Sequence, residues 1–105
     1  MFGAKLATGK YDGDGAPTQA ITGVGFKPKV VIIYKRINDS PAGVWIKTDK
    51  DSAYSWFAKV SAGLCEWKTG YIISLDNDGF TIGNSGDIYT LNDETTASYD
   101  YIALG

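Results

Sequence analysis

The stretch Lys29-Val30-Val31-Ile32-Ile33-Tyr34-Lys35 decides the fold. Val30 to Tyr34 is apolar without a break, and its first four residues are β-branched. A run this short and this branched reads as a strand covered on both faces. Pro28 stands just before it, where a missing backbone donor does least harm. The neighbouring segments have the same character. Pro41-Ala42-Gly43 marks a turn, and Val44 to Thr48 follows as a strand. Alternation puts Val44 and Ile46 on one of its faces and Trp45 and Lys47 on the other. Upstream, Lys5 to Tyr11 and Thr18 to Val24 read as strands separated by the turn signal Asp12-Gly13-Asp14-Gly15.

The last third reads as a meander. Tyr71 to Leu75 and Phe80 to Ile82 flank Asp76-Asn77-Asp78-Gly79, whose Asp-Gly pair suits a turn with positive backbone dihedrals. Asp87 to Leu91 and Ala97 to Leu104 complete the series, with Tyr99, Tyr101 and Ala103 on one face of the final strand. Ser52 to Ala62 fits a helical turn as well as a strand or loop. The expected fold is therefore all-β: one antiparallel β-sandwich domain over residues 1–105, jelly-roll-like. Thirteen glycines in 105 residues and fourteen aromatic residues (seven Tyr, four Phe, three Trp) suit strands joined by tight turns.

Composition narrows the function. Ten basic residues against twelve acidic ones leave a net charge of −2, and Arg36 is the sole arginine. Nucleic-acid binding rests on phosphate neutralisation, so a nucleic-acid partner is disfavoured. No apolar run is long enough to span a membrane. The start, Met1 to Lys5, lacks the pattern of a secretory signal, so either the chain reaches its site from the cytosol or a signal has been removed, and the initial Met favours the first. The chain has no histidine, which removes Ser-His-Asp and Cys-His catalysis and leaves almost nothing to ligate zinc. Cys65 is the only cysteine, so no internal disulfide forms. It is expected as a small core residue. No cofactor is implied, and the chain is expected not to be an enzyme.

Two sets of side chains remain as candidates. Asp12 with Asp14, and Asp76 with Asp78, are each spaced as a calcium-ligand or acid-base pair would be. The same residues also serve turns, and neither run completes a calcium loop. The second set is aromatic: Trp45, Trp56, Trp67, Tyr54 and Phe57. These rings suit core packing, a subunit interface or a sugar-stacking face. Trp45 shares a strand with the oppositely facing Val44 and Ile46, so one of those faces points outward unless both are covered.

Several phrases stand in one order along the chain: Tyr11 to Gly15, Thr18 to Pro28 with its Gly23-Val24-Gly25-Phe26-Lys27-Pro28 ending, Val30 to Arg36, Asp78-Gly79-Phe80-Thr81-Ile82-Gly83, and Tyr99 to Gly105. In this order the chain resembles a β-rich module found in virion proteins of tailed bacteriophages. The resemblance covers nearly the whole chain, and Ser52 to Trp67 matches least. It implies a virion location and a structural role, as a small capsid decoration or a tail or fibre subunit. The implied partners are other virion proteins and further copies of the same chain. The alternative is a receptor-binding module that holds a host glycan.

Overall fold

The computed structural model describes residues 5–35, 43–52, 54–59, 64–84, 90–92 and 98–105. The described residues form nine strands: β1 (Leu6–Asp12), β2 (Thr18–Ile21), β3 (Val30–Lys35), β4 (Gly43–Thr48), β5 (Tyr54–Lys59), β6 (Leu64–Thr69), β7 (Ile72–Asp76), β8 (Gly79–Gly83) and β9 (Ser98–Leu104). They form a six-stranded sheet in the order β1-β9-β3-β4-β5-β6 and a three-stranded sheet in the order β2-β8-β7. Every pairing is antiparallel. The expected antiparallel β-sandwich is thus the observed fold. Its jelly-roll-like character lies in the pairing of the first strand with the last, and in the chain crossing to the small sheet and back between β1 and β3.

The inner face of the large sheet carries Tyr11, Val31, Ile33, Trp45, Phe57 and Tyr99, all buried. Ile21, Ile72, Phe80 and Ile82 are buried beside them from the small sheet. The rings form two groups. Trp45 stacks on Phe57 at 5.0 Å, and both meet Tyr71. Tyr11 stacks on Tyr99 at 4.9 Å, and Phe80 joins that group through its edges with Tyr11 and Tyr101. At about 1.5–3 kcal/mol for each large apolar side chain removed from water, these two groups supply much of the driving force.

The structure departs from the sequence expectations in several places. Val31 and Ile33 are fully buried, while Val30 and Ile32 stay partly exposed. Among the described residues the small sheet covers only one face of β3, and the other face keeps partial exposure at Val30 and Ile32. Thr18–Ile21 stops three residues before Val24, because Gly23 and Gly25 take positive φ angles of 84° and 98°. Ser52 to Ala62 forms no helix in its described residues; Tyr54–Lys59 is a strand paired along Leu64–Thr69. Of the strand expected at Asp87 to Leu91, residues 87–89 lie outside the described residues, and Thr90 and Leu91 are not in a strand. Thr90–Asn92 instead lies over the core as a stapled segment. The hydroxyl of Tyr11 donates to the Leu91 carbonyl at 2.9 Å, and that of Tyr99 to the Thr90 carbonyl at 3.0 Å. Cys65 is exposed rather than buried, because it pairs with Ala58 on the outer face.

Candidate functional site

Residues paired directly across antiparallel strands point to the same face. One such row crosses the whole large sheet on its outer side: Thr8, Ile102, Ile32, Ile46, Trp56 and Trp67. Five of these six are apolar. With strands about 4.8 Å apart, the row runs about 24 Å. Leu6, Leu104 and Val30 form a shorter apolar row beside it, with Leu6 67% and Leu104 38% exposed. An antiparallel sheet with one buried face ordinarily turns polar residues outward. Here the middle of the outer face is apolar, and Lys10, Asp12 and Asp100 sit towards the β1–β9 end.

The aromatic trio lies at the β5–β6 end. Tyr54, Trp56 and Trp67 are 42%, 46% and 40% exposed. Tyr54 stacks on Trp67 at 5.5 Å and 9°, and Trp56 meets Trp67 edge-on at 4.7 Å. The hairpin positions them: Trp56 pairs with Trp67, and Tyr54 with Thr69. The other two aromatic candidates are not surface groups. Trp45 and Phe57 are 1% and 0% exposed and belong to the core, so no ligand reaches them in the folded state. The outward face of β4 is that of Val44 and Ile46. The inward face accommodates Lys47 because its ammonium reaches the β4–β5 turn. There it donates to the carbonyls of Asp51 and Tyr54 at 3.2 Å each, and to that of Ser52. Burial pulls Lys47 below the ordinary lysine range, and the Asp51 carboxylate opposes that shift.

The aspartates serve the fold. Asp78 accepts from the amides of Gly23 at 3.0 Å and Gly25 at 2.7 Å, and its carbonyl accepts from the Val24 amide at 3.1 Å. This clamp joins the Gly23-Val24-Gly25 corner to the β7–β8 turn. Asp76 accepts hydroxyl bonds from Ser74 at 2.9 Å and Thr81 at 2.6 Å. Asp14 accepts from the Ala16 amide and from the Asn92 side chain, and its own amide donates back to Asn92. The Ala16 and Asn92 bonds hold its carboxyl below the usual carboxylate range. Asp12 accepts from the Ser98 hydroxyl at 3.3 Å. Carboxylates aimed at N–H and O–H donors are ill placed to share a cation. Among the described residues no three His, Cys, Asp or Glu side chains gather as a metal site.

A cleft of about 250 Å³ opens beside the β4–β5 turn, lined by Lys27, Lys47, Ser52 and Ser74 among others. Lys47, buried in its wall, spends its donors on backbone carbonyls. The apolar row went unseen in the sequence because its members sit on five strands. Only strand register brings them into line. Comparison with protein-family models, with curated proteins and with solved structures finds no match.

Proposed function

We propose that this chain is a non-enzymatic assembly subunit of a tailed-bacteriophage particle, docking through the outer face of its six-stranded sheet. The observation that carries the reading is the apolar row from Ile102 to Trp67, ending in the exposed Tyr54–Trp56–Trp67 trio. The isoleucines of the row are partly exposed and lead to the exposed rings, and an apolar patch with aromatic residues prominent is characteristic of protein interfaces. The ordered phrases from Tyr11 to Gly105 support the virion context. They include the Gly23-Val24-Gly25 corner and Asp78, which meet in one clamp. That clamp is structural, so the shared phrases speak for a shared scaffold.

The glycan-binding alternative has less support. A sugar ring stacks on an open aromatic face, but Tyr54 and Trp67 cover one face of each other. The outer-face positions flanking Trp56 and Trp67 in register are Ile46, Ala58, Cys65 and Thr69, with no acid or amide among them, and the Asp51 carboxylate near Tyr54 is engaged by the Thr48 amide and hydroxyl. Co-sedimentation of the recombinant chain with purified particles tests the proposal. The wild type is expected to bind, and the Trp56→Ala/Trp67→Ala variant to bind at least about tenfold more weakly, as hot-spot residues do. Equal binding by both would overturn the docking face. A glycan-array signal lost in the same variant would favour the sugar reading.

A further inference from the structure

β6 is the last strand of the large sheet, with β5 on one side and no strand on the other among the described residues. Such an edge offers unpaired backbone donors and acceptors to another strand. Proline, bulges and short length ordinarily protect edges. Leu64–Thr69 has no proline, and it pairs with β5 over six residues without a register shift. Its charges alternate with its apolar outer residues: Glu66 and Lys68 face inward, and Cys65, Trp67 and Thr69 face outward.

We propose that β6 pairs antiparallel with β6 of a second copy about a twofold axis through Trp67. The strand's own sequence selects this register. With the axis at Trp67, Glu66 stands opposite the partner's Lys68, and Lys68 opposite the partner's Glu66. On the other face Trp67 meets the partner's Trp67, which joins the two aromatic trios at the centre of a continuous outer surface. An axis at Glu66 would oppose that carboxylate to its own copy, and an axis at Lys68 would oppose two ammonium groups. Like charges directly opposed across strands are destabilising. An axis between residues would join the inner face of one copy to the outer face of the other and set a charged side chain, Glu66 or Lys68, against the partner's Trp67. Glu66 and Lys68 already meet within one chain at 3.3 Å, with side chains 34% and 49% exposed, so both are placed for a cross-chain partner.

This inference deepens the assembly reading and rests on it, but it has a separate test. Sedimentation of the wild-type chain up to about 100 μM, a range that captures weak specific interfaces, is expected to show a dimer. Lys68→Glu and Glu66→Lys each create two like-charge pairs across the axis. Each is expected to weaken the dimer at least about tenfold. The double variant Glu66→Lys/Lys68→Glu restores complementarity and is expected to dimerise within about threefold of wild type. At concentrations too low for the dimer to form, melting curves of all four proteins should nearly coincide, since an exposed ion pair adds little to stability.

A covalent readout fixes the register. The axis at Trp67 sets Cys65 opposite the partner's Thr69, so Thr69→Cys treated with oxidised glutathione is expected to form a disulfide-linked dimer by thiol–disulfide exchange, the glutathione leaving as its reduced thiol. Within one chain those two positions lie four residues apart on one strand, about 13 Å, beyond disulfide reach. A wild type that stays monomeric would overturn the dimer and leave the particle-binding test standing. A dimer indifferent to Lys68→Glu would overturn the interface.

Discussion

Gly79 follows Asp78, and as a dipeptide the pair points to a positive φ. The structure gives the glycine a different reason. Its φ is not among the positive ones, and a Cβ placed there would lie 1.8 Å from the Ile21 carbonyl oxygen. The constraint is the close approach of β2 to β8, which no local reading of Asp-Gly reveals. Gly79→Ala is therefore expected to cost more than about 2 kcal/mol, because backbone rather than a side chain must move. Chemical denaturation measures it. Tyr11 carries a second residue-level prediction. Burial, with neighbouring Tyr99 adding to it, pushes the Tyr11 phenol well above its ordinary value of 10.0. The folded state then holds this proton more tightly than the unfolded chain. The associated stability is complete below pH 10.0 and declines above it, by up to about 1.4 kcal/mol per pH unit. Tyr11→Phe loses the bond to Leu91 and is expected to cost about 1–2 kcal/mol at neutral pH. Above pH 10.0 the gap to wild type should narrow, a difference in which the Lys47 contribution cancels.

Among the elements, the clamp between the Gly23-Val24-Gly25 corner and the β7–β8 turn fixes the chain where it leaves β2 of the small sheet on its way to β3 of the large one. Asp78→Ala removes the acceptor for two amides and is expected to cost about 1–3 kcal/mol, read as a melting temperature lower by several degrees. Asp78→Asn keeps one acceptor oxygen and should lose less. The strands from Val30 to Tyr34 and from Tyr99 to Ala103 were legible because their composition and alternation are local properties. The β5–β6 hairpin was not. Its six-residue strands are dense in aromatic residues, and on sequence alone Tyr54, Phe57 and Ala58 also fit a helical face. Cross-strand pairing resolves the ambiguity, since Trp56 gains Trp67 as a neighbour only in the hairpin. The two outward aromatic candidates on β5 and the two inward ones, Trp45 and Phe57, look alike in sequence. Which face the small sheet covers separates them, and that is a tertiary property.

For the whole molecule, the consequence is a sandwich with one sheet only half dressed. The three-stranded sheet covers the inner face, and the outer face is left with an apolar row across all strands but the first. Replacing Trp56 and Trp67 by alanine should cost the monomer only about 1 kcal/mol, since the pair is half exposed, while particle binding falls at least about tenfold. That separation of stability from binding distinguishes a docking face from a structural cluster. The absent histidines, legible from the first line of sequence, removed the common nucleophile mechanisms. The rings of Tyr54, Trp56 and Trp67 were interface candidates in the sequence, but their alignment with Ile46, Ile32 and Ile102 emerged only from register. Mass spectrometry of purified phage particles is the direct test of whether this chain is a particle subunit. The chain is expected in the particle at a fixed ratio to the major capsid protein, retained through gradient purification. Its absence from purified particles, with the chain abundant in the lysate, would rule out a subunit role.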